Sequence, residues 1–323
     1  MNLKEIDEYF RTLVFEDNPL FIDSFEFEES LVNFQLENHK GFDGKIYEPK
    51  KKISVFQTFD LAREFIESLP KNYKLLYEKM FEECNIVISE DNANSYFDTY
   101  ENIVRIEQTK TISDVFSLVH EFMHYTNDRI DVITETSTYY TEVFSWFIEL
   151  LLCDYIEINY PMYTKDVLCI KRNNFICTYQ ASIKSKIFFE LIKYKTEGKT
   201  INQYIIKEII KLLESFDIKE DNILLALDDV FGEIEDDYYE DTENAFVNNL
   251  RYSIAQPLAV YMYHQTKEKN IEEILDLNFQ LQYYELDDVL QYLNLKEMDD
   301  LKLSYENLTK LNNEYVKEKK KVW

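Results

Sequence analysis

Apolar side chains recur at intervals of three and four residues along most of the chain, the spacing of a helix face turned toward a core. From Thr58, a residue type suited to capping a helix, Leu61, Phe65, Ile66 and Leu69 keep this rhythm as far as Pro70, and a second helix is predicted from about Asn72 to Glu83. The two read as a helical hairpin. Beyond residue 134 the pattern is helix after helix, over roughly 136–158, 173–197, 201–215, 220–230 and 242–265, with several short ones to follow. Residues 1 to about 12 also fit a short helix.

Strand-like patterning is confined to three places. Between Phe21 and Leu36, Val32, Phe34 and Leu36 alternate with Asn33 and Gln35, which predicts one or two strands. Asn85–Ser89 and Ile103–Gln108 are short β-branched runs, and the second stands directly before a helix start at Thr111, with Asp114 three residues on. A small sheet beside that helix follows. His39–Lys52, with two glycines, Pro49 and a lysine run, reads as a connection, so the chain divides into a short segment 1–44 and a domain 45–323. No internal repeat is evident.

Composition supports a mainly α fold of the α+β kind. Glycine and proline number 4 and 5 in 323 residues, too few for a sandwich or barrel with a tight turn every few residues. The glycines at 41, 44, 198 and 232 are too scattered for a dinucleotide-binding or phosphate-cradling loop. A net charge of −27 repels phosphate backbones and anionic lipid, so neither nucleic acid nor a membrane surface is an expected partner. Cys84, Cys153, Cys169 and Cys177 show no CxxC spacing and read as buried free thiols in a reducing cytoplasm. No apolar leader opens the sequence, and the longest apolar stretch, Val143–Ile156, is broken by Glu149 and Asp154. The acidic Glu233–Glu243 reads as a solvated loop and Lys319–Lys321 as a solvated tail.

Chemistry concentrates in His120-Glu121-Phe122-Met123-His124, which holds two of the four histidines in the chain. On a helix, an i, i+4 spacing stacks two imidazoles one turn apart, where one Zn²⁺ can take a nitrogen from each. Glu121 then stands beside the metal as a candidate general base. The surrounding helix is apolar (Ile112, Val115, Phe116, Leu118, Val119, Phe122), so these polar groups need partners. A third ligand is expected from the next helix. Glu142, 18 residues after His124, shares a face with Ser145 and Glu149 at i+3 and i+7. Glu142 is the favoured ligand, and Glu149 suits a supporting role that orients a ligand histidine, with Ser145 between them. Glu135, near the helix start, is the competing ligand.

These segments resemble the oligoendopeptidase F and thimet oligopeptidase family of zinc peptidases. Thr111-Ile-Ser-Asp-Val-Phe-Ser-Leu-Val-His-Glu-Phe-Met-His124 is similar to its zinc helix, and Thr141-Glu-Val-Phe-Ser-Trp-Phe-Ile-Glu149 to its third-ligand segment, with E-x-x-S-x-x-x-E intact. Ile53–Glu83, Asn94-Ser-Tyr-Phe-Asp-Thr-Tyr100 through Ile106, and Phe246–Tyr263 extend the likeness over roughly residues 45–290. The resemblance implies a zincin-like helical catalytic domain over 45–323, of gluzincin type, acting on oligopeptides. It implies one Zn²⁺ per chain on His120, His124 and Glu142, with Glu121 as base. It further implies that Ile103, Val104 and Arg105 lie on an edge strand that holds the substrate backbone, with Tyr96 and Tyr100 nearby. Tyr252 is the implied oxyanion donor with Arg251 as a cationic neighbour, and Pro257 should kink their helix. The sequence departs from the family in having Met123 where glycine is usual, a shorter link to Glu142, about 45 residues in place of a long N-terminal lobe, and no histidine just upstream of Tyr252. The alternatives are a zinc-peptidase scaffold that binds peptides or a protein partner with little turnover, and a protease restricted to one folded partner.

Overall fold

The computed structural model describes residues 2–15, 25–38, 46–90, 94–129, 141–240, 245–280 and 286–302. Their elements, in chain order, are α1 (Leu3–Phe15), α2 (Glu26–Asn38), α3 (Val55–Glu67), α4 (Lys71–Glu83), β1 (Asn85–Ser89), β2 (Tyr96–Asp98), β3 (Ile103–Glu107), α5 (Ser113–Arg129) and α6 (Thr141–Asn159). A 3₁₀ turn (Pro161–Tyr163) precedes α7 (Thr164–Thr196), α8 (Gln203–Glu214), α9 (Glu220–Glu240), α10 (Ala245–Gln265), α11 (Ile271–Gln280) and α12 (Leu286–Leu293). Among the described residues the protein is mainly helical with one small sheet, and no described helix is long and apolar enough to cross a membrane. Two compact units result: Met1–Gly44 with Ile176–Ile254, and Lys45–Phe175 with Ala255–Trp323.

The first unit is organised around aromatic side chains. Phe246 meets Phe25, Phe188 and Phe189 at ring separations of 5.6, 5.8 and 5.2 Å, and Phe10 meets Phe188 at 6.0 Å. Glu29 on α2 receives Lys186 and Lys193 from α7. The alternation that predicted strands belongs instead to α2, while residues 21–24 lie outside the described residues. A five-residue alternation fits either period, and the acidic first turn (Glu26, Glu28, Glu29) favours a helix N-terminus. The acidic stretch from Glu233 likewise corrects the loop expectation as far as Glu240, where α9 ends, while 241–243 lie outside the described residues. Glu233 is held there by Lys184 at 2.7 Å and by the Asn249 amide.

In the second unit, α3 starts earlier than expected. Ser54, not Thr58, is the cap: its hydroxyl accepts the Gln57 N–H while the Gln57 side chain accepts the Ser54 N–H. α7 likewise begins at Thr164, directly after the 3₁₀ turn, rather than near residue 173. Thr111 stands just before α5, where Asp114 accepts the Thr109 and Lys110 N–H groups at 2.9 and 3.0 Å. Strand order is β1-β3-β2, with β3 parallel to β1 and antiparallel to β2. Val104 and Ile106 are fully buried and alternate with partly exposed Ile103, Arg105 and Glu107, so one face of β3 turns inward and packs on α5. α5 is also packed by α3, α4, α6 and β2, which explains why it is buried on nearly all sides. Tyr73 and Tyr77 on α4 lie against Phe122, the latter at 5.2 Å, edge to face. No disulfide forms; Cys153 and Cys169 are buried as expected, but Cys84 is only partly buried and Cys177, on α7, is exposed.

Candidate metal centre

The apolar positions of α5 fix its rotation, and that rotation leaves His120 and His124 together on the side facing α6. Their Nε2 atoms are 3.1 Å apart. Glu142, in the first turn of α6 and 2% exposed, brings Oε2 to 3.1 Å from His120 Nε2 and Oε1 to 3.4 Å from His124 Nε2. Three side chains from two helices therefore converge on one point. Two ligands each about 2.0–2.1 Å from a tetrahedral zinc lie about 3.3 Å apart, so the observed spacings fit the edges of such a coordination shell. Among the described residues this is the one His/Cys/Asp/Glu group close enough to hold a metal ion. Glu135, the competing ligand, lies outside the described residues.

Hydrogen bonding behind the histidines determines what this point requires. His120 Nδ1 is 2.6 Å from Glu149 Oε1, about two turns along α6 from Glu142. A carboxylate only accepts, so Nδ1 carries the proton and the Nε2 lone pair of a neutral ring faces Glu142. Lone pair against carboxylate is repulsive unless a cation lies between them. A proton meets that need in part: burial opposes charge on His120, but the Glu142 and Glu149 carboxylates outweigh it and hold its pKa well above the usual histidine range. Burial equally opposes charge on Glu142, yet His124 and His120 hold its carboxyl well below the usual range. A divalent cation would occupy the same position with more charge. Two imidazole nitrogens and one carboxylate are the donor set of a catalytic zinc site, which keeps its remaining positions for water and substrate.

Glu121 is 5% exposed, and burial pushes its carboxyl pKa upward against the opposing charges of His120 and His124. A raised pKa suits a group that must both take and release a proton. Ser145 is fully buried, and its hydroxyl has no hydrogen-bond partner among the described residues, so it does not orient a ligand histidine. Sequence reasoning missed Asn174 on α7, whose amide donates to Glu149 Oε2 at 2.7 Å. No local pattern marks it, because the contact spans 25 residues and depends on how α6 and α7 pack.

The expectation of a substrate-holding edge at Ile103–Arg105 is corrected. β3 is hydrogen-bonded on both sides, by β1 and β2, and Arg105 also donates to Ser89 on β1. No backbone edge remains there for a peptide. The outer strands are β1 and β2, and β2 carries Tyr96, 42% exposed, with Tyr100 standing in the following turn. Phe97 of β2 packs 5.7 Å from Tyr125, the residue after His124. Tyr252 belongs to the other unit, where the Arg251 guanidinium lies 5.2 Å over its ring. α10 continues as a helix through Pro257. Comparison of the chain with models of protein families, with curated proteins and with solved structures returns no match.

Proposed function

We propose that His120, His124 and Glu142 hold one Zn²⁺ and that the protein is a zinc-dependent peptidase acting on oligopeptides, of the oligoendopeptidase kind that its sequence resembles. The observation carrying this reading is the approach of the two Nε2 atoms and the Glu142 carboxylate to within 3.4 Å of one another. Zinc bound there would supply a Lewis acid that polarises a carbonyl and acidifies a water. Glu121 takes the proton of the attacking water and delivers it to the leaving amine, a transfer helped by its buried, raised-pKa carboxyl. Glu149 keeps His120 in the tautomer that offers Nε2 to the metal. A peptide would add as a further strand on the outer side of β2, which is unpaired among the described residues and packs against the last turns of α5 through Phe97 and Tyr125. Backbone pairing of that kind gives affinity with little side-chain selectivity.

A second reading, a scaffold that binds peptides without efficient turnover, draws on the sequence, which has no histidine just upstream of Tyr252 to assist an oxyanion. The test is hydrolysis of a quenched fluorescent peptide library by zinc-loaded wild type and Glu121→Gln. Cleavage by the wild type, reduced about 10²- to 10⁴-fold in the variant, supports the peptidase. Peptide binding without cleavage by either protein supports the scaffold.

A further inference from the structure

We infer that Asn174 is a positioning residue for the metal centre: it fixes the Glu149 carboxylate that in turn fixes His120. The chain of contacts is short at both links, Asn174 Nδ2 to Glu149 Oε2 at 2.7 Å and Glu149 Oε1 to His120 Nδ1 at 2.6 Å. Each carboxylate oxygen thus has its own donor, which removes rotation about the last bond of the Glu149 side chain.

The surroundings explain why such a donor is needed. Glu149 and Asn174 share the wall of a small recess whose other lining includes Trp146, Leu150, Phe175 and Ala259. Water is a poor substitute against that apolar wall, so a carboxylate there depends on protein donors. Lys171, one turn before Asn174 on α7, lines the same recess, but its ammonium is engaged by Glu157 at 3.1 Å and Asp154 at 3.9 Å. The donor to Glu149 is therefore a neutral amide. This matters electrically: an amide orients the carboxylate while leaving its negative charge to act on His120, whereas an ammonium would neutralise it and make the imidazole a weaker ligand.

The consequence for zinc rests on the proposed metal reading, so the experiment has two readouts. One is Zn²⁺ affinity, by competition with a chromophoric chelator. The other is the solvent-exchange rate of the His120 Nδ1 proton in ¹H–¹⁵N spectra, which needs no metal. The variants are Asn174→Ala, which removes both donor and volume, and Asn174→Leu, which removes the donor but fills the space. A positioning role requires both variants to bind Zn²⁺ about 3- to 10-fold more weakly, less than the 10- to 100-fold typical of removing a group bonded directly to a ligand. Both should also exchange the Nδ1 proton faster than wild type. If Asn174→Leu matches wild type in both readouts, Asn174 only fills space and the inference is overturned. If the wild type binds no zinc, the proposed function fails, and the exchange rates alone still decide: faster in both variants upholds the inference, unchanged rates overturn it.

Discussion

His120 Nδ1 and Glu149 Oε1 stand 2.6 Å apart, and this single contact commits the other ring nitrogen to the point where His124 and Glu142 converge. Glu149→Gln keeps a hydrogen-bond acceptor for Nδ1 but loses the charge, whereas Glu149→Ala loses both. Zn²⁺ affinity is therefore expected to fall about 10-fold in the first and nearer 100-fold in the second. Chelator competition on the purified variants measures both.

Metal bound only by the folded chain stabilises it by mass action, about 2.7 kcal/mol when free zinc is about 100 times its dissociation constant. Chelation should lower the melting temperature of the wild type by several degrees and leave that of His124→Ala unchanged. Equal responses of the two proteins would separate zinc from this site.

Glu29 offers a pH-dependent test in the other unit. Burial opposes its charge, but Lys186 and Lys193 outweigh it, so its carboxyl titrates below the ordinary 4.5. A depressed carboxyl contributes stability that is fully present above the unfolded value and is lost as pH falls through the folded one. Glu29→Gln should cost about 1–3 kcal/mol at neutral pH. The difference from wild type should shrink as pH falls below 4.5 and through the lower folded-state value, and vanish once both proteins are uncharged at this position. Urea unfolding at a series of pH values measures it.

Ser54 caps α3 through a reciprocal pair with Gln57. Ser54→Ala should destabilise the protein by about 1 kcal/mol, readable as a lower urea midpoint with an unchanged slope. The metal affinity of this variant should match wild type.

What the sequence disclosed follows from how local each feature is. His120, Glu121 and His124 are spaced by one helical turn, and Glu142 and Glu149 by two, so one-dimensional spacing already places each set on one face. Chemistry of that kind is legible. Asn174 is not, because it reaches Glu149 only through the packing of α7 on α6. Strand order is equally non-local: nothing in Ile103–Glu107 tells a central strand from an edge, and the structure puts it in the middle. α2 escaped for a different reason, since alternation over Val32, Phe34 and Leu36 is too short to separate a period of 2 from one of 3.6. In Glu233–Glu243 net charge suggested a solvated loop, while α9 continues to Glu240 and Lys184 and Asn249 bind Glu233.

The most direct test is the zinc content of the purified protein, by elemental analysis after loading and exhaustive removal of free metal. One zinc per chain is expected in the wild type and almost none in folded His120→Ala, His124→Ala and Glu142→Ala. A wild type that retains no zinc, or variants that retain as much as the wild type, would contradict the proposed site.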